Sequence, residues 1–137
     1  MRTPRRSRER GQALVEMALT LPLLLLLLLG LVCVGQILLA NYTVSQAARA
    51  AAHQAAIAGG EPEAAYAAAQ QVIDAGVGTA SDEAEVAVRC ARTPCRRYDA
   101  VEVAISYTGG FWAPIPPLFT EFTVGAVATR AAERDQQ

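Results

Sequence analysis

Residues 17–40 read MALTLPLLLLLLLGLVCVGQILLA, 24 positions without one charged side chain. About 20 apolar residues rising 1.5 Å each cross a hydrocarbon core of about 30 Å, so the run is long enough to span a bilayer. No other feature constrains the chain so strongly. Its flanks also orient it: Arg2, Arg5, Arg6, Arg8 and Arg10 crowd the N-terminal side, whereas the NYTVSQ that follows carries no charge. Basic flanks stay cytoplasmic, which predicts a single-pass membrane protein with a cytoplasmic N-terminus and an extracytoplasmic C-terminal portion.

A cleaved secretory signal is the competing reading, but its apolar core should be about 7–15 residues with a small-x-small site close behind. This run is longer. The one A-x-A beyond the leucines, Ala48-Arg49-Ala50, lies well downstream within an alanine-rich helical pattern.

Composition supports a folded outer portion. The chain is 53% hydrophobic and 18% charged, too apolar for disorder, and the apolar excess outside the leucines is mostly alanine in residues 47–69. Three units are expected: a basic leader, residues 1–11; a transmembrane signal-anchor helix, residues 12–40; and an extracytoplasmic domain, residues 41–137.

Two residues make the anchor unusual. Gly11 closes the basic leader, and Glu16 places a carboxylate where the apolar run begins. A carboxylate near the bilayer is costly and usually has a partner. One reading leaves Glu16 at headgroup depth beside Arg10 or another leader arginine. The other is a prepilin-type processing site: cutting between Gly11 and Gln12 would create an α-ammonium on Gln12 and make Glu16 the fifth residue of the mature chain. In a bundle of such helices that carboxylate would pair with a neighbour's ammonium, setting subunit register electrostatically. Residues 1–11 hold five arginines and one glutamate, so their removal takes a chain of net charge −1 to −5.

The segment Arg10-Gly11-Gln12-Ala13-Leu14-Val15-Glu16, followed by an apolar run containing Pro22, resembles the TadE-like proteins of bacterial tight-adherence (Flp) pilus systems. The likeness continues through Gly35-Gln36 to Gln46-Ala47-Ala48-Arg49, and more loosely into the C-terminal strands. Met17 departs from the aromatic residue often found after the glutamate. The resemblance implies a minor pilin or pseudopilin of the bacterial inner membrane, cut by a prepilin peptidase and acting with other pilins, platform proteins and a secretion ATPase. The alternative is an uncleaved membrane-anchored binding or scaffold protein that never enters a filament.

The expected fold class is α+β. With no proline between Pro22 and Pro62 and alanine dominating residues 47–58, the transmembrane helix should continue outward as one rod over residues 12–58, ended by Gly59-Gly60. Pro62, flanked by Glu61 and Glu63, opens a second short helix with Ala65, Tyr66, Ala69, Val72 and Ile73 at helical spacing and Gly76 as its cap. Residues 76–83 read as loop. Its Gly76-x-Gly78 precedes a strand instead of opening a helix, which argues against a phosphate cradle. Alternation at Ala84, Val86, Val88 and Cys90, at Val101, Val103, Ile105 and Tyr107, and through Phe122–Thr129 predicts three antiparallel strands. One face of that small sheet should pack on the two helices, in a pilin-like arrangement.

Cys90 and Cys95 flank the first hairpin turn, outside the reducing cytoplasm, and are expected as a disulfide. A metal site would need about four ligands, yet Cys33 lies in the membrane run and His53 is the chain's one histidine. No metal or cofactor is expected. Nothing assembles an enzyme either: there is no nucleophile elbow and no nucleotide motif. The arginines at 89, 92, 96 and 97 are balanced by acidic residues, so neither nucleic acid nor a small-molecule substrate is expected as a partner. The loop GGFWAPIPPLF, residues 109–119, is apolar where loops are usually polar. Phe111, Trp112, Ile115 and Leu118 are candidates for a subunit contact, with core cover or a dip of Trp112 toward the membrane interface as the other readings.

Overall fold

The computed structural model describes residues 5–112 and 120–136, with side chains from Gly11 onward. Helix α1, Arg5–Ile57, is a single run of 53 residues, about 80 Å long at 1.5 Å per residue. It starts earlier than the expected residue 12, because nothing in the leader from Arg5 onward breaks a helix. Pro22 sits inside it, and the rod ends where the two glycines require. Gly59 and Gly60 adopt positive φ of 73° and 88°, while the Gly60 amide donates to the Ala55 carbonyl and the Gly59 amide to Ala56. That pair of bonds is a Schellman cap. A Cβ at Gly59 would collide with the Asp135 backbone, and one at Gly60 would press on the Cys95 sulfur.

Helix α2, Pro62–Asp74, turns back along α1 and buries Ala65, Ala69 and Ile73. Tyr66, expected on that face, is 41% exposed. The C-cap is Ala75 in right-handed backbone, one residue before the expected Gly76. Gly76 serves packing: a Cβ there would strike the side chains of Thr43 and Thr79. A short 3-10 turn, Ser81–Glu83, then leads into the sheet.

Strands β1 (Ala84–Cys90), β2 (Ala100–Gly110) and β3 (Glu121–Ala131) form an antiparallel meander in the order β1-β2-β3. Its register pairs Val88 with Val103 and Tyr107 with Val124. Alternation holds most sharply on the central strand, where Val101, Val103, Ile105 and Tyr107 are buried and the residues between them mostly face solvent. The α+β class and its three-strand sheet are therefore as expected.

What the sheet packs on is a seam of small residues. Ala40, Val44, Ala47, Ala51 and Ala55 recur every three or four positions along α1, with Ala48, Ala52 and Ala56 one step round, and all are at most 3% exposed. This spacing lines one helix face. Alanine keeps the helix slim there, so the sheet and α2 both approach its backbone closely. Below this seam the picture inverts. From Leu14 to Leu31 every large apolar side chain except Leu29 is at least 48% exposed.

The chain's end closes the structure at the far tip of α1. The Glu133 amide donates to the Ala56 carbonyl, the Gln136 amide to Cys95, and the Arg97 amide to the Asp135 carboxylate at 2.8 Å. Arg134 Nε also donates to the Ile57 carbonyl. Cys90 and Cys95 are joined, with Cα atoms 5.8 Å apart, and Cys95 is buried against Gly60. Because the closed loop is short, its removal should cost at the lower end of the usual range, about 2 kcal/mol. We expect Cys90→Ser/Cys95→Ser to fold but melt lower. A wild-type melting temperature indifferent to reductant would contradict this.

Candidate membrane and assembly interface

The bare half of α1 is the first part of the interface. Among the described residues α1 is the one helix long and apolar enough to cross a membrane, and its apolar window is almost entirely unburied. A core helix of a soluble protein would be covered. A removable signal would be separable, whereas here the same helix supplies the core: the Ala48-Arg49-Ala50 site lies mid-helix with Ala48 1% exposed.

Glu16 lies at the N-terminal end of this surface. It is exposed, and the Gln12 amide nitrogen approaches its carboxylate at 3.3 Å, one helical turn away. Gly11 has open space around its Cα. The two residues of the expected cut and the carboxylate expected to pair thus lie on one exposed helical stretch. The expected Arg10 partner falls outside the described side chains. Thr20 caps locally, its hydroxyl donating to the Glu16 carbonyl at 2.9 Å.

At the other end of the bare surface lies a residue given no role from sequence. Gln36 is 4% exposed although it stands in the apolar run. Its amide nitrogen donates to the Gly110 carbonyl at 2.7 Å, and its amide oxygen accepts from the Trp112 backbone at 3.1 Å. One side chain thus clamps the exit of β2 onto α1, and packing of the C-terminal domain begins there. The available signal was chemical: an amide in an apolar run has to find a partner.

The clamp determines how the suspicious loop is presented. Phe111 is half-buried, its ring centroid 5.1 Å from that of Phe122, and Phe122 in turn lies 6.3 Å from Tyr107. It extends the core. Trp112 remains 53% exposed, with its indole against Gly78, whose φ of 70° and missing Cβ make room for the ring. Ile115 and Leu118 lie outside the described residues.

Tyr107 anchors this aromatic file. Its ring is 1% exposed, and its hydroxyl donates to the Glu83 carboxylate at 2.6 Å. Burial, reinforced by that neighbouring carboxylate, pushes its pKa up to about 12. An unfolded tyrosine ionises near pH 10, so the fold resists forming the phenolate. The stabilisation is intact below about pH 10 and falls as pH rises toward about 12. Tyr107→Phe should cost about 1–2 kcal/mol at neutral pH and flatten that alkaline slope. Denaturant titrations on either side of pH 10 test both effects.

At the opposite, distal tip, Cys90, Cys95 and Asp99 bring three metal-type ligand atoms within 4.8 Å. The disulfide consumes both sulfurs. Asp99 meanwhile accepts from the Arg96 amide at 3.0 Å and lies 3.8 Å from Arg92. His53 is exposed and lines a shallow hollow with Arg97, Tyr98, Arg130 and Glu133. Arg97 stacks over the Tyr98 ring at 4.9 Å.

Architecture and surface together define the class: a small α+β domain built around the second half of a helix whose first half is bare and membrane-like. Residues 11–53 match the family model described as TadE-like protein, so the N-terminal resemblance is to the family read from the RGQALVE segment. That family is pilus-associated and structural in character. No curated protein and no solved structure matches the chain.

Proposed function

We propose that this chain is a minor-pilin- or pseudopilin-like subunit of the machinery that assembles tight-adherence (Flp-type) pili or the associated secretion apparatus. The observation that carries this reading is the TadE-like match over residues 11–53, which runs unbroken from the bare half of α1 into the half its own domain sheathes. An exposed apolar rod bearing one acidic group near its start suits lateral packing, first with lipid and then with like helices.

Under this reading residues 1–11 are the leader, α1 crosses the bacterial inner membrane with its N-terminus cytoplasmic, and the outer domain faces away from the cytoplasm. A prepilin peptidase cuts between Gly11 and Gln12. The partners are the bilayer, other pilins or pseudopilins and the platform proteins. Deleting the gene should abolish surface pili and adherence, with restoration from a plasmid copy; normal piliation in the deletion strain would overturn the assignment. The mass of the membrane-extracted protein tests processing separately. It should begin at Gln12, and a mass beginning at Met1 in peptidase-positive cells would exclude the cut.

A further inference from the structure

Resting on the membrane-anchored reading above, we infer that the Trp112 end of the outer domain is seated in the lipid headgroup layer of the leaflet through which α1 emerges. Glu16 and Gln36 are separated by 20 positions, about 30 Å along a helix, which equals the hydrocarbon thickness. With Glu16 at one boundary, Gln36 marks the other. Gln36 bonds directly to Gly110 and Trp112, so the domain has no spacer holding it clear of the surface.

The side chains presented there suit that layer. Trp112 is 53% exposed and Val77, beside the Gly78 that carries the indole, is 69% exposed. An amphipathic indole favours the membrane–water boundary. Burial on α1 starts just below, with Cys33 and Gly35 partly covered. The arginines of the sheet and tail gather at the other tip: Arg89, opposite Glu102, and Arg130, opposite Val101, lie at the Cys90 end of the sheet, and Arg134 bonds Ile57. The seat therefore depends on the indole and its apolar neighbour, with no basic patch among the described residues there to attract anionic lipid.

Trp112 is the chain's single tryptophan, so its fluorescence reads the seat directly. The full chain would be reconstituted in phosphatidylcholine vesicles with and without phosphatidylglycerol. Emission should be blue-shifted and quenched strongly by a doxyl label high on the acyl chain, weakly by a deep one, and several-fold less by aqueous iodide than a free tryptophan analogue. Vesicle charge should make little difference. Gln36→Leu, which keeps an apolar helix but removes both bonds, should raise iodide access. Full iodide access in the wild-type chain overturns the seat, as does shielding from iodide without lipid quenching, the signature of contact with a second protein copy. Leu25→Trp in a Trp112→Phe background monitors the anchor separately. If the deep label quenches it while Trp112 stays open to iodide, the seat alone fails; if it does not, the membrane-anchored reading fails as well.

Discussion

Glu16→Ala is expected to reach the membrane at wild-type levels and yet fail to join an assembly. Alanine removes the one acidic group between Gly11 and Ile57, so insertion should become easier. Assembly should suffer for the opposite reason. If the carboxylate pairs with a neighbour's α-ammonium in a water-poor helix bundle, removing it strands the ammonium, and breaking a buried pair costs about 3–5 kcal/mol. That corresponds to a loss of about a hundredfold or more in incorporation, read by cross-linking to other subunits in intact membranes. Glu16→Gln keeps the size of the side chain and its capacity to bond Gln12, but not its charge. It should fail similarly. Normal incorporation of the glutamine variant would show that hydrogen bonding, not charge, matters at this position.

The second large effect concerns the alanine seam. Ala51 is wholly buried, in the middle of the stripe that receives the sheet and α2. Leucine there adds three heavy atoms to a core cluster already filled by alanines and by Val101, Val103 and Ile105. Overpacking of a tight core costs about 1–3 kcal/mol, occasionally more, and a seam with so little slack should lie at the upper end, about 3 kcal/mol. Domains of this size have only about 5–15 kcal/mol in hand. Ala51→Leu should therefore loosen the sheet from α1 without melting α1, whose leucine-rich half lies outside the seam. Limited proteolysis of the C-terminal domain in micelles separates the two, because it reports docking while helical circular dichroism does not. Arg49→Leu, on the exposed side of the same turn, should leave proteolysis unchanged; equal sensitivity of both variants would count against the seam.

The elements were legible because each carries its own local signal. The Gly59-Gly60 pair, Pro62 and the alternation of Val101, Val103, Ile105 and Tyr107 state helix end, helix start and strand without help from neighbours. Gln36 was not legible in the same way. Its two partners lie 74 and 76 residues away, and nothing in QILLA distinguishes a lipid-facing amide from one that clamps a sheet. Gly76 and Tyr66 illustrate the same limit. Glycine after a helix suggests a left-handed cap, but here a threonine across the helix pair needs the space; a tyrosine at helical spacing suggests core, but in an alanine-packed seam the ring is too large to enter. Glu16 remains a matter of neighbours that one chain does not contain.

The continuity of α1 has a mechanical consequence. Between Gln36 and Ile57 the helix contains neither proline nor glycine, the usual sources of a sharp kink, and it forms the spine of the outer domain. That stretch and the domain packed on it therefore move as one lever. Transmembrane helices tilt by about 20° on average to match bilayer thickness, and over the roughly 30 Å from Gln36 to the Schellman cap such a tilt carries the arginine-bearing tip about 10 Å sideways. With the bare half of α1 in a bilayer, as proposed, a thicker or thinner membrane would be felt as a displacement of the surface farthest from it.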